Sequence, residues 1–174
     1  MSGIAAALGG SKTTLWSYFR NKQDLFAAVV DAQVEQYGEA LRLELPEDAD
    51  LSATLNQLGI SILTTIVRPQ IIALHRVVVG EARRFPELGQ MLWDRGGARG
   101  QRKTAEWLRL QMTKGRLRMA DPDVAAAHFL GLCQSGGFYR HLLGAAPRPD
   151  QPAIAAEVQL AVQAFLAAYR PDGT

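Results

Sequence analysis

Apolar side chains recur three and four residues apart along most of this chain, in blocks separated by Gly, Pro and short polar stretches, which is helical periodicity. The first block is short: Ile4 to Leu8, the pair Gly9-Gly10, then Ser11 to Lys22 with Leu15 and Phe19 on its apolar side. Asn21, with Asp24 three residues on, predicts the start of a long helix through Leu25, Phe26, Val29, Val30, Val34 and Leu41, ending before Pro46. Asp31, Glu35 and Glu39 make an acidic stripe along it. Glu47 to Asp50 reads as a polar loop. Helices follow over 52–67 and 69–84, the second rich in Ile, Leu and Val and expected to be buried. Phe85-Pro86 opens a short helix reaching Trp93. The run Gly96-Gly97-Ala98-Arg99-Gly100 is expected as a break, with the next helix over 102–114 closed by Gly115. Asp121-Pro122-Asp123 supplies a capping acid, a proline at the first helical position and a second acid at the positive end of the dipole, predicting a helix to about Leu143. Pro147 to Pro152 is a loop, and the last helix covers 153–169. No strand or internal repeat is predicted, so the fold class is all-α.

The opening block carries the chemistry. Gly9 or Gly10 can supply the positive φ of a tight turn, and Ser11 can cap the helix that follows by accepting a free amide. Ile4, Leu8, Leu15 and Phe19 would share a core, leaving Lys12, Thr13, Trp16, Ser17, Tyr18 and Lys22 outward. Two short helices joined by a glycine turn, the second crowded with small polar, basic and aromatic side chains, suit the DNA major groove, one bracing and one reading. The plain alternative is a solvated helix face. Ile4-Ala5, Gly9, Ser11, Thr14-Leu15, Tyr18-Phe19, Lys22 and Leu25 resemble, at matching spacing, the helix-turn-helix of the TetR family of transcriptional regulators. The resemblance implies a DNA-binding site of Ser11, Lys12, Thr13, Thr14, Trp16, Ser17, Tyr18 and Lys22, with Tyr18 and Lys22 on phosphates, which position a protein without specifying sequence. Trp16 has two readings, donating its indole N–H to a phosphate or packing against a preceding helix. Gly10 stands where an apolar residue is usual in the family, and Trp16 where Tyr is usual. A further helix precedes the motif in the family, whereas Met1 here falls within the bracing helix. A truncated form, or a start placed at an internal Met, is therefore expected, with residues 1–20 loosely held and DNA binding weak.

A second resemblance lies further on. Gly80-Glu81-Ala82-Arg83-Arg84-Phe85-Pro86-Glu87-Leu88-Gly89, and then Gly115-Arg116-Leu117-Arg118 before Asp121-Pro122, are similar to the C-terminal domain of AefR-like TetR repressors. This implies a truncated helix-turn-helix domain over 1–22, a linking helix over 22–44, and a ligand-binding and dimerisation domain over 45–174. Homodimerisation is expected through the last two helices. Leu130, Gly131, Cys133, Gly136 and Gly137 would allow close helix approach, and Ala155, Val158, Val162, Phe165, Leu166 and Tyr169 recur at helical spacing. A two-fold dimer would set two recognition helices on a palindromic double-stranded DNA operator. For a small, largely apolar effector the family geometry points to His75, Trp93, Trp107, Gln111, Gln134 and Phe138 as ligand-binding residues, each of which could equally be plain core.

Composition narrows the classes. The chain has 174 residues, 48% of them hydrophobic, and a net charge of +2, which fits a globular protein. Charge is uneven: residues 1–22 are basic without an acid, 23–67 are strongly acidic, 68–118 strongly basic, and the remainder weakly acidic. The basic start suits phosphates. The basic middle is read as facing the acidic helix and solvent, since no aromatic platform interleaves its bases. No uncharged apolar run reaches the roughly 18–20 residues of a membrane span, and no signal peptide opens the chain. A single cysteine, Cys133, fits a reducing cytoplasm.

No enzyme, metal or cofactor is expected. His75, His128 and His141 are far apart, the acidic stripe lacks Glu-x-x-His partners, and Lys103-Thr104 follows Arg102 where a phosphate loop needs glycine. The reading is a ligand-responsive regulator, in the sense of a repressor, acting through a homodimer on DNA. Its competitors are a helical ligand-binding dimer that no longer reads DNA and a pure dimerisation module.

Overall fold

Four helices open on a side-chain cap. Asn21 accepts from the Asp24 amide at 2.8 Å, Asp50 from Ala53 at 2.7 Å, Asp121 from Asp123 and Val124 at 2.8 and 3.2 Å, and Asp150 from Ala153 at 2.9 Å. Each bond serves an amide that the first turn leaves without a helical partner. The computed structural model describes residues 18–38 and 42–171. Its helices are α1 (Lys22–Tyr37), α2 (Leu51–Ile66), α3 (Pro69–Glu81), α4 (Pro86–Leu92), a π-helical turn (Trp93–Gly97), α5 (Ala98–Thr113), α6 (Pro122–Cys133), α7 (Gly137–Leu142) and α8 (Gln151–Tyr169). Proline occupies the first turn of α3, α4, α6 and α8, where its missing N–H has no helical acceptor. There is no strand among the described residues, and the fold is all-α.

Four boundaries differ from the sequence pattern. The helix opened by Asn21 ends at Tyr37, with the Gly38 amide donating to Val34 O at 2.9 Å, and residues 43–50 are non-helical. Arg42 turns back to donate to the Glu35 carbonyl, taking an acceptor that the last turn leaves free. Gly96 and Gly97 do not break the chain; they form a wide turn that runs directly into α5. A Cβ on Gly97 would meet Trp93 Cε3 at 2.7 Å, so the bare glycine backbone is the seat of that indole. The helix from Pro122 stops at Cys133, and α7 restarts at Gly137. There Glu157 of α8 accepts from the amides of Gly136 (3.0 Å) and Gly137 (2.9 Å), drawing them away from helical carbonyls. Finally, α8 begins at Gln151, so Pro152 belongs to its first turn and not to the loop.

Two cores hold these elements. The main one joins α2, α5, α6 and α8 through Leu55, Leu58, Leu63, Leu108, Met112, Phe129, Val158, Val162 and Phe165. Phe129 and Phe165 meet edge to face at 5.4 Å, and Phe165 stacks on Tyr169 at 4.5 Å. A Cβ on Gly59 of α2 would lie 2.6 Å from Val158 Cγ1 and 3.1 Å from Cys133 Sγ, so α2, α6 and α8 converge on that glycine. Cys133 is therefore a residue of the chain's own main core. Helix α8, with 19 residues and a mean hydropathy of 1.2, is long and apolar enough to cross a membrane by composition. Its positions Ile154, Val158, Val162 and Phe165 are occupied in the main core, and Glu157 sits within it. The second core is smaller: Phe26 and Val30 of α1, Leu74 and Val78 of α3, and Leu88 of α4, with Val29, Val34, Phe85, Met91 and Leu92 packed around them.

Candidate functional site

The second core decides how the helix that begins at Lys22 is carried. Val30 is fully buried, and Leu25 and Phe26 nearly so, giving α1 an apolar face against α3 and α4. Two polar links flank that face. Gln23 Nε2 donates to Glu87 Oε1 at 2.9 Å, and Arg95 Nε donates to Asp31 Oδ1 at 2.7 Å, fixing α1 to α4 and to the π-helical turn. One residue of the acidic stripe thus meets the basic middle of the sequence; Glu39 lies outside the described residues.

Of the DNA-binding candidates, Ser11, Lys12, Thr13, Thr14, Trp16 and Ser17 also lie outside the described residues, as does most of the stretch expected to be loosely held. Tyr18 is 80% exposed. Lys22 opens α1, exposed, with Nζ 5.4 Å from the centre of the Phe85 ring. Arg84 lies over the same ring at 5.1 Å. Sequence reasoning assigned no role to Arg83, Arg84 and Phe85 beyond a family signature.

A direct ring contact joins two of the six effector candidates. His75 and Phe138 meet edge to face at 5.7 Å, with Phe138 buried and His75 Nδ1 donating to Ile71 O at 2.8 Å. Trp107 and Gln111 are buried one turn apart on α5, where Trp107 Nε1 donates to Pro46 O at 3.2 Å and Gln111 Nε2 to Glu47 O at 3.4 Å. The Gln111 Oε1 atom is buried without a hydrogen-bond partner. Trp93 is half exposed over Gly97, and Gln134 caps the end of α6. An open groove of about 670 Å³ lies elsewhere, between Leu43, the Gln57–Ile60–Ser61–Thr64 face of α2 and Gln151.

The loop bound by α5 is strapped at several points. Lys114 Nζ reaches Glu47 Oε2 at 3.2 Å and Asp48 Oδ1 at 2.7 Å, and Arg116 donates to the carbonyls of Ala49 and Glu47. The Lys114 bond holds the Asp48 carboxyl below its usual range, and Asp48 in turn raises Lys114. Burial pushes the Cys133 thiol up to about 12, with the Glu157 carboxylate adding to the effect. Among the described residues no group of three or more His, Cys, Asp or Glu could hold a metal ion.

Helix α1 is thus fastened by its own small core to a larger all-helical bundle. Residues 53–171 match the family described as the C-terminal domain of AefR-like transcriptional repressors. The chain belongs to the TetR family of transcriptional regulators, in this AefR-like branch. Among solved structures it is similar to a TetR-family regulator of Mesorhizobium loti MAFF303099, at 26% identity and a TM-score of 0.82, covering 96% of this chain and 84% of that one. It is similar to the flavonoid-responsive regulator FrrA at 30% identity and 0.78, covering 99% and 87%. A TetR regulator from Agrobacterium tumefaciens follows at 28% and 0.79, covering 98% and 84%. No curated protein matches.

Proposed function

We propose that this protein is a cytoplasmic, ligand-responsive repressor that binds a palindromic operator as a homodimer and acts without a catalytic step. One observation carries the reading: the helix that begins at Lys22, where the DNA-binding motif ends, is fastened by a buried core to α3 and α4 of the C-terminal region. A rearrangement of that region moves α1 and, with it, Lys22. An effector that favours a form with mis-spaced motifs releases the operator, to the extent of its differential affinity for the two forms.

Ser11, Lys12, Thr13, Thr14, Trp16 and Ser17 are assigned to the groove and adjoining backbone, and Tyr18 and Lys22 to phosphates. The effector is a small, largely apolar molecule held among His75, Trp93, Trp107, Gln111, Gln134 and Phe138. The buried, unpartnered Gln111 Oε1 supports a ligand hydrogen-bond donor, and the similarity to FrrA makes flavonoids the first class to test. Dimerisation runs through α6 and α8, where Val124, Ala127 and Gly131 on one helix and Ala156, Leu160, Ala164 and Ala167 on the other leave an exposed apolar stripe. Replacing Leu160, which is 67% exposed, by Glu should give a folded monomer in light scattering and abolish gel shifts on DNA flanking the gene. A Leu160→Glu protein that stays dimeric contradicts the interface, and a wild-type gel shift indifferent to every effector class tried contradicts the ligand response.

A further inference from the structure

Arg83-Arg84-Phe85 has no part in the reading above, yet it lies beside the residue that opens α1. It forms the turn between α3 and α4, with both arginines exposed and Phe85 half-buried. Lys22 Nζ and Arg84 Cζ each lie within 5.4 Å of the centre of the Phe85 ring, so the two charges are held near each other by one aromatic side chain. Arg20, also exposed, precedes Lys22 by two positions, and Arg83 adjoins Arg84. Two bases from distant parts of the sequence therefore meet at one ring, each with a second exposed arginine within two positions along the chain. The acids nearby are less available: Glu87 is half-buried and bonded by Gln23, Glu81 is half-buried at the end of α3, and Asp24 alone is exposed, in the first turn of α1. Among the described residues none of the four bases is held in an ion pair.

A guanidinium lying over a ring has one face screened from water and its N–H fork set in direction, which suits a phosphate. We infer that Arg83 and Arg84 contact operator phosphates next to Lys22, so that the C-terminal region itself holds the duplex. The inference rests on the DNA-binding reading proposed above. It gives the α3–α4 turn a double role, since displacing it would both pull on α1 and withdraw two phosphate ligands.

Fluorescence anisotropy of the full chain, on an operator recovered by selection from random duplexes and on an unrelated duplex, tests this across a salt series. The variant carrying Arg83→Ala and Arg84→Ala should bind both duplexes more weakly by a similar factor, about tenfold or more, and its slope of log affinity against log salt should fall by about 4, two arginines being lost from each protomer of the dimer. The variant carrying Arg83→Lys and Arg84→Lys should keep most of the slope, because the charge remains, and all proteins should melt alike. A Thr14→Ala variant should instead lose preference for the operator with little change in slope. An unchanged slope in the alanine variant while wild type still selects its operator overturns the inference alone. So does a loss shared equally by the lysine variant, which would mean that the arginines act by stacking on Phe85. Failure of wild type to select any duplex overturns the DNA-binding reading, and this inference with it.

Discussion

Replacing Gln111 by Leu is predicted to make the protein more stable and less responsive. Gln111 is fully buried on α5, between Leu108 and Met112 of the main core. Its amide nitrogen makes one long bond, 3.4 Å to Glu47 O, and that carbonyl keeps a second donor in Arg116. Its Oε1 has no partner. A desolvated, unpartnered oxygen costs about 1–3 kcal/mol, whereas a long hydrogen bond contributes near the bottom of the roughly 0.5–1.5 kcal/mol range. Leu occupies a similar volume and leaves nothing unsatisfied, so the balance favours the variant by about 1 kcal/mol. Urea unfolding monitored by circular dichroism reads this directly. With a slope of about 1–3 kcal/mol/M for a protein of this size, the midpoint should rise by roughly 0.3–1 M at unchanged slope. The same variant should need more effector to release DNA, since the proposed ligand donor loses its acceptor. A midpoint that falls would refute the reasoning, because Oε1 would then have been satisfied in solution.

Other consequences follow from single contacts. Gly59→Ala gains about 1 kcal/mol of helix propensity but forces Val158 and Cys133 apart, at about 1–3 kcal/mol, so the variant should be up to about 2 kcal/mol less stable. Adding Val158→Ala should recover part of that loss in a double-mutant cycle, and an additive pair would contradict the clash. Because the folded Cys133 thiol is raised to about 12 from an ordinary 9.0, the unfolded chain loses that proton first. The contribution is complete below pH 9.0 and declines as pH rises toward about 12, so wild type should lose stability faster than Cys133→Ala above pH 9.0. Asp31→Asn removes the partly exposed bridge to Arg95 and should cost no more than about 1 kcal/mol in urea, with the difference shrinking in high salt.

Local signals were the legible ones. Asn21 and Asp121 cap helices through amides two or three residues away, and Pro69, Pro86 and Pro122 mark first turns, so those helix starts could be read from neighbours in sequence, whereas Asp150 and Pro152 are equally local signals and open α8 two residues before the expected start. Two of the misplaced boundaries involve a partner far along the chain or an unusual packing demand. The break after Cys133 depends on Glu157, some twenty positions on, capturing the Gly136 and Gly137 amides. Gly97 looks like a helix breaker, but its task is to receive the Trp93 ring. Periodicity likewise fixes which face of its helix Trp93 occupies and not what covers that face. The words Arg83-Arg84-Phe85 were visible from the start, whereas their nearness to Lys22 depends on α1 packing across α3 and α4.

The most direct measurement is selection of bound duplexes from a random DNA pool by the full chain, with and without effector. The account predicts enrichment of an inverted repeat whose half-sites lie about one helical turn apart or a multiple of it, roughly 34–36 Å per turn, and release of that duplex when effector is added. Recovery of no preferred sequence, or of one without two-fold symmetry, would contradict it.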